Sequence, residues 1–240
     1  MSLLAEAHDA IQRNLKWFAV YVLMLVPVSA GLLALDTYFF DASPEAAKTP
    51  ASIQWEAATA LVLAGVSALA QTLVFTRIGR EMAHMMWRVK NPEATIRRFF
   101  PMWLLINLVV YAVQKVPDFV LGGENTDHPL AGPFLILMVI VMICSTPFGA
   151  CFMWWGSVFP LKEALAPLGR NLAKTFMILF ASGVFFFLCL DLLAMTQESK
   201  VFWPLIDVLF CYFDCFIFAA TWALLIYDTQ PKDLLDEGDL

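Results

Sequence analysis

The sequence predicts an all-α, polytopic membrane protein: six transmembrane helices forming three parallel-repeat hairpins, with short cytoplasmic interfacial helices. Three observations carry this. Of the 240 residues, 60% are hydrophobic and 15% charged, with a mean hydropathy of +0.72, where a soluble domain carries about 25% charged residues. No charged residue falls between Lys16 and Asp36, Glu56 and Arg77, Asp127 and Lys162, or Lys174 and Asp191. Gaps of that length match the roughly 20 apolar residues of a membrane span. Lysine and arginine, finally, divide asymmetrically. With a cytoplasmic N-terminus, 12 of the 15 lie inside, and only Lys48, Lys115 and Lys200 lie outside. That split favours six spans with both ends cytoplasmic. A soluble enzyme, a nucleic-acid binder and a secreted disulfide scaffold are excluded.

The whole chain, 1–240, reads as one six-span domain. The first span is expected over Trp17–Leu35. Val28-Ser29-Ala30 imitates a processing site, but the apolar run continues past it, so this helix is expected to be retained. The second covers Ala57–Phe75 and the third Phe99–Leu121, the latter weakened by Lys115 and Asp118 near its end. The fourth, Phe134–Phe159, is over-long. Pro147 near its middle removes a backbone donor and predicts a kink whose freed carbonyl a neighbouring helix must satisfy. The fifth covers Thr175–Met195 and the sixth Val201–Tyr227. Trp17, Trp55, Trp87, Trp154, Trp155 and Trp203 fall near predicted interfaces. Residues 228–240, with Asp228, Asp233, Asp236, Glu237 and Asp239, read as a solvated acidic tail. The five cysteines all lie within predicted spans, as small apolar packing residues.

An internal repeat precedes the odd-numbered spans. Glu6-Ala7 is followed by Arg13-Asn14-Leu15-Lys16, and Glu163-Ala164 by Arg170-Asn171-Leu172, at the same spacing. Glu93-Ala94 followed by Arg97-Arg98-Phe99-Phe100 is a shortened version. Each reads as a short amphipathic helix that turns into a span; Asn91-Pro92-Glu93 supplies a cap, a first-turn proline and an acid at the third. The stretch Val158-Phe159-Pro160-Leu161-Lys162-Glu163-Ala164-Leu165, leading through Arg170-Asn171 to Phe176, resembles a motif of one bacterial superfamily. These are six-helix proteins related to the membrane domain of glycerophosphodiester phosphodiesterases. Arg77-Ile78-Gly79-Arg80 and Arg97-Arg98-Phe99-Phe100-Pro101 are similar to the other half of the pattern, over residues 60–190 in all. The phosphodiesterase of the fused relatives is a separate soluble domain that this chain lacks, so the resemblance implies a non-catalytic membrane module.

Asp207 and Asp214 are the sharpest functional candidates. Seven residues apart, they share one face of the sixth span with Cys211 between them. A lone carboxylate at span depth costs about 2.5–3.5 kcal/mol on insertion scales, so Asp214 needs a partner, water or the bundle interior. Gln71, Asn107, Gln114 and Lys115 are the available partners, with Asn107 and Gln114 forming a matching stripe on the third span. Three readings stay open: interhelical packing, contact with a neighbouring subunit, or a proton, cation or polar-solute path. Arg77, Arg80, Arg88, Arg97 and Arg98 form a second candidate. In the segment 77–98, Met82, Met85, Met86 and Val89 alternate helically with Arg80, Glu81, His84 and Arg88. This fits an interfacial helix on lipid phosphates, a docking surface for a partner, or a continued second helix obeying the charge rule.

No enzyme motif is present: no nucleophile elbow, no P-loop, no paired histidines, and no second deep acid on another helix. Gly122-Gly123 reads as an outside turn. No metal site and no cofactor is expected. The first functional expectation is an accessory or assembly subunit, partnered by other integral membrane subunits and phospholipids as a homo- or hetero-oligomer. The alternatives are a small transporter or permease component using the Asp207/Asp214 face, and a lipid-handling or envelope-homeostasis protein.

Overall fold

The structure is a computed structural model that describes residues 3–40, 50–82, 92–120, 131–156, 161–195 and 202–229. Among these residues lie eight helices: α1 (Leu3–Arg13), α2 (Leu15–Phe40), α3 (Pro50–Met82), α4 (Pro92–Val120), α5 (Ala131–Trp155), α6 (Leu161–Arg170), α7 (Leu172–Met195) and α8 (Trp203–Thr229). Six are long and apolar enough to cross a membrane: Leu15–Asp36, Gln54–Met82, Glu93–Lys115, Gly132–Trp155, Leu172–Met195 and Trp203–Thr229. The fold is therefore all-α and polytopic. Arg88 and the methionine-bearing stretch 83–91, Gly122-Gly123, residues 157–160 of the motif before α6, and the tail beyond Thr229 lie outside the described residues.

Packing places α8 at the axis. Of its most apolar 18-residue stretch 67% is buried, against 6% for α2, and α1, α2, α3, α5, α6 and α7 all touch it. Its inner half, Ile217 to Leu225, is buried without interruption. Phe75, Trp103, Phe218 and Trp222 are the large side chains sealed around it. α2 touches α3, α4 touches α5 and α7 touches α8, as three hairpins require, but the most extensive pairing is α3 with α4, so packing does not set the three hairpins apart.

The repeat is visible at two of its three positions. α1 buries Leu3, Ala7, Ala10 and Ile11, and α6 buries Ala164, Pro167 and Leu168, a helical spacing with small residues at the contact. Each then breaks at an asparagine. The Asn14 amide donates to the Ala10 carbonyl at 2.9 Å and the Asn171 amide to the Pro167 carbonyl at 3.1 Å. Each asparagine's own carbonyl accepts the first bond of the following span, from Phe18 at 3.0 Å and Thr175 at 2.9 Å. Asparagine thus ends one helix and starts the next. The third copy departs from expectation. α4 runs unbroken from Pro92 into the span, because Arg98 stands where the other copies have asparagine, and Glu93 pairs with Arg97 at 3.2 Å one turn on, as a continuous helix allows.

Three further expectations are corrected. The fourth span ends at Trp155 rather than Phe159: Gly156 has φ +72° and its N–H returns to the Met153 carbonyl at 3.1 Å, a left-handed stop that glycine tolerates. Asp228 is not part of a solvated tail. It ends α8 and accepts hydrogen bonds from Arg170, through Nε at 3.3 Å and Nη2, and from Asn171 at 2.8 Å. Trp154 is buried against Trp222, ring centroids 4.9 Å apart, rather than facing an interface. Pro147 lies inside α5, and the Ile143 carbonyl one turn back is met by the Ser182 hydroxyl of α7 at 3.2 Å. A second proline, Pro27, lies inside α2.

Candidate functional site: a polar chamber beside α8

Asp214 is the centre of a hydrogen-bond network drawn from five helices. Its Oδ2 accepts from the Tyr21 hydroxyl of α2 and from Gln71 Nε2 of α3, the latter at 3.0 Å. Its Oδ1 accepts from the Thr146 hydroxyl of α5. Asn107 of α4 donates to Gln71 Oε1 at 2.7 Å and to the Trp103 carbonyl at 2.8 Å. This order is chemically determined. Gln71 must present its amide to the carboxylate, which turns its carbonyl toward Asn107, whose amide donates to it. The sequence had placed Gln71, Asn107, Gln114 and Lys115 as partners. The structure joins the first two and separates the others: Gln114 reaches Met142 Sδ at 3.2 Å, and Lys115 pairs with Glu56 at 3.2 Å. Tyr21 and Thr146 were missed, because both score as span-compatible and nothing in their spacing marks them.

The network forms one wall of a cavity of about 290 Å³. Asp207 and Asp214 both line it, as do Ser67, Tyr111, Ser145 and Ser182. Ser29 hydrogen-bonds Asp207, and Ser67 hydrogen-bonds Tyr111. Aromatic rings close the remainder: Trp103, Phe185, Phe186, Phe210 and Phe213. Among the described residues, no lysine, arginine or histidine lines this cavity. A second, larger space of about 1060 Å³ adjoins it on the side away from α1 and α6, with Ser29, Leu63, Asp207 and Phe210 common to both. Its rim carries Asp36, which accepts the Trp55 indole N–H at 3.1 Å, and the Glu56–Lys115 pair. Asp207 therefore stands at the passage from vestibule to chamber, and Asp214 at the chamber's floor.

Below the floor the bundle is sealed by stacked rings. Phe75 lies 4.2 Å from Phe218 and 5.2 Å from Trp103, centroid to centroid, and Phe218 lies 5.3 Å from Trp222. Two glycines seat the indoles. A Cβ on Gly149 would fall 2.2 Å from the Trp103 ring, and one on Gly79 would fall 2.9 Å from Trp222, whose indole N–H donates to the Gly79 carbonyl at 3.0 Å.

The basic residues are placed separately. Arg77 lies 4.9 Å over the Trp17 ring, a cation–π contact that ties α3 to α2. Arg80 is half-buried near the C-terminal end of α3, with its Nε withdrawn from the surface. Arg97 is exposed on α4 beside Glu93. Arg98 folds back, 5.5 Å over Phe99 and against Gly156 at the end of α5, where a cation meets the negative end of the helix dipole. Arg13, Arg77, Arg97, Arg98 and Arg170 are exposed among the described arginines. Among the described residues no three His, Cys, Asp or Glu side chains gather as metal ligands would. Protein-family models, curated proteins and solved structures all return no match to this chain, so the chamber's chemistry is read from its own residues.

Proposed function

We propose that this protein is a small transporter or permease component of the bacterial inner membrane, both termini cytoplasmic, that admits a small polar solute from the outer side into the chamber. The observation that carries this reading is the chamber itself: two carboxyl groups, seven hydroxyls and an amide pair line open space among the spans, next to a wider vestibule. A network serving only helix packing needs no volume beside it, since close-packed interiors leave few voids larger than a water molecule. Asp214 finds its partners within this chain, which removes the reason to assign it to a neighbouring subunit. The aromatic seal under the floor fits a carrier held closed toward the cytoplasm, with the solute site at a midplane convergence of helices.

An accessory or assembly role is favoured by one separate observation. α7 exposes Leu172, Phe176, Phe180 and Phe187 along its outer side, a stripe that suits a partner span as well as lipid.

Substituted-cysteine labelling tests the carrier reading. Ser145 lines the chamber and Gly31 does not. In right-side-out vesicles, Ser145→Cys should react with a small neutral methanethiosulfonate reagent added outside, as Cys211 of the chamber wall should, at a rate well above that of Cys144, Cys151, Cys189 and Cys215, with adducts located by mass spectrometry. Labelling of Ser145→Cys from the cytoplasmic side only, or from neither side, would overturn it.

A further inference from the structure

The chamber's walls specify a ligand class. We propose that it binds a small organic ammonium ion, its nitrogen held at Asp207 and its carbon skeleton against Phe210, Phe213 and Trp103. This rests on the carrier reading and goes beyond it by naming the solute.

Hydrogen-bond capacity comes first. A carboxylate offers about four acceptor sites. Three of Asp214's are taken by Tyr21, Gln71 and Thr146, whereas Asp207 meets one hydroxyl, Ser29. Asp207, which lines both the chamber and the vestibule, has acceptor capacity to offer a ligand. An alkylammonium is the complement, with three donors and no acceptor. Charge points the same way. Among the described residues, the donors on the two acids are neutral hydroxyls and an amide, and no basic side chain lines the chamber. An anionic solute would find no cationic side chain among the described lining residues to pair with. The vestibule repeats the bias, because Asp36, Glu56 and Asp207 outnumber Lys115, and a cleft lined by one sign of charge concentrates the opposite ion.

Shape separates an organic cation from a bare metal ion. Hard cations favour gathered carboxylates, and no three His, Cys, Asp or Glu side chains gather among the described residues. Instead, rings face the space: Phe185 stacks on Phe213, with Phe210 and Trp103 beyond. Aromatic faces attract ammonium groups when both are withdrawn from water, and they bury the attached carbon chain as well. About 290 Å³ accommodates a molecule of several heavy atoms.

Free amines and the ethanolamine headgroup of a phospholipid carry the same ammonium, and the experiment separates them. The full chain is placed in nanodiscs of phosphatidylglycerol, with or without phosphatidylethanolamine, and titrated calorimetrically with benzylammonium chloride, benzyl alcohol and benzoate. Benzylammonium should bind saturably, the alcohol and benzoate at least tenfold more weakly, and Asp207→Asn should lose tenfold or more in affinity. Asp207→Glu should restore most of it, which excludes misfolding as the cause. A headgroup occupant predicts that phosphatidylethanolamine weakens benzylammonium binding tenfold or more; a free-amine site predicts equal binding in both discs. Benzyl alcohol binding as tightly as benzylammonium, full affinity in Asp207→Asn, or no saturable binding would overturn the proposal. If binding fails while Ser145→Cys is still labelled from outside, the ligand class falls and the carrier reading stands. If both fail, the chamber is not a solute site.

Discussion

Asp214 cannot be replaced by its nearest isostere without conflict. Three donors point at its two oxygens, and Asp214→Asn turns one acceptor into a fourth donor. The expected cost is about 1–3 kcal/mol, the penalty for leaving a buried polar group unsatisfied, read as a lowered unfolding temperature in detergent with helical content unchanged. The glycines give a sharper contrast. Gly149→Ala drives a methyl into the Trp103 ring, whereas Gly31→Ala meets nothing within 4 Å. Gly149→Ala should lose stability or yield and shift tryptophan emission, and Gly31→Ala should match the parent or exceed it slightly, since alanine favours helix. Equal behaviour of the two would show that Trp103 does not sit on Gly149. At this scale the sequence was partly legible. Asp207, Asp214, Asn107 and Gln71 stood out because each is costly in a span. Tyr21, Thr146 and Ser182 did not, because a hydroxyl in a span bonds its own backbone as readily as a neighbouring helix, and only packing decides.

Helices were easier to foresee than their ends. Long charge-free runs mark a span, but its limits depend on single residues: the left-handed Gly156 that stops α5 and the asparagines that separate α1 from α2 and α6 from α7. The repeated glutamate-alanine and arginine-asparagine-leucine spacing was readable, yet its third copy joined the span because no asparagine interrupts it. Asn14→Ala and Asn171→Ala should loosen α1 and α6 respectively. Faster amide exchange in the short helix, with the spans unchanged, is the expected reading; unchanged exchange in both would remove the asparagine as the hinge. The α6–α7 junction is also pinned to α8 by Asp228, whose carboxylate engages the Arg170 fork and raises its pKa above the usual arginine value. A raised pKa means the pair stabilises the fold fully below arginine's normal range and loses that only above it. The junction should therefore hold its stability unchanged from neutral into moderately alkaline pH. Arg170→Lys should weaken it, because an ammonium lacks the two-pronged geometry. Limited proteolysis at the junction would check both.

For the molecule as a whole, the decisive contrast runs along α8. On one side of Asp214 lie the chamber and vestibule; on the other lie Phe75, Phe218 and Trp222, packed ring on ring. Composition alone identified the surrounding solvent as lipid and said nothing of this division, since an aromatic seal and a lipid-facing aromatic surface have the same residues. What separates them is burial, which hydropathy does not record. The most direct measurement is a cysteine-labelling profile along α8 in right-side-out vesicles, using a small neutral reagent added outside, through positions 206–222. The account predicts reactivity at Phe210, Phe213 and Ile217 changed to cysteine, with Cys211 as the native marker, and none from Phe218 to Trp222. A profile silent throughout, or one that continues to Trp222, would contradict it.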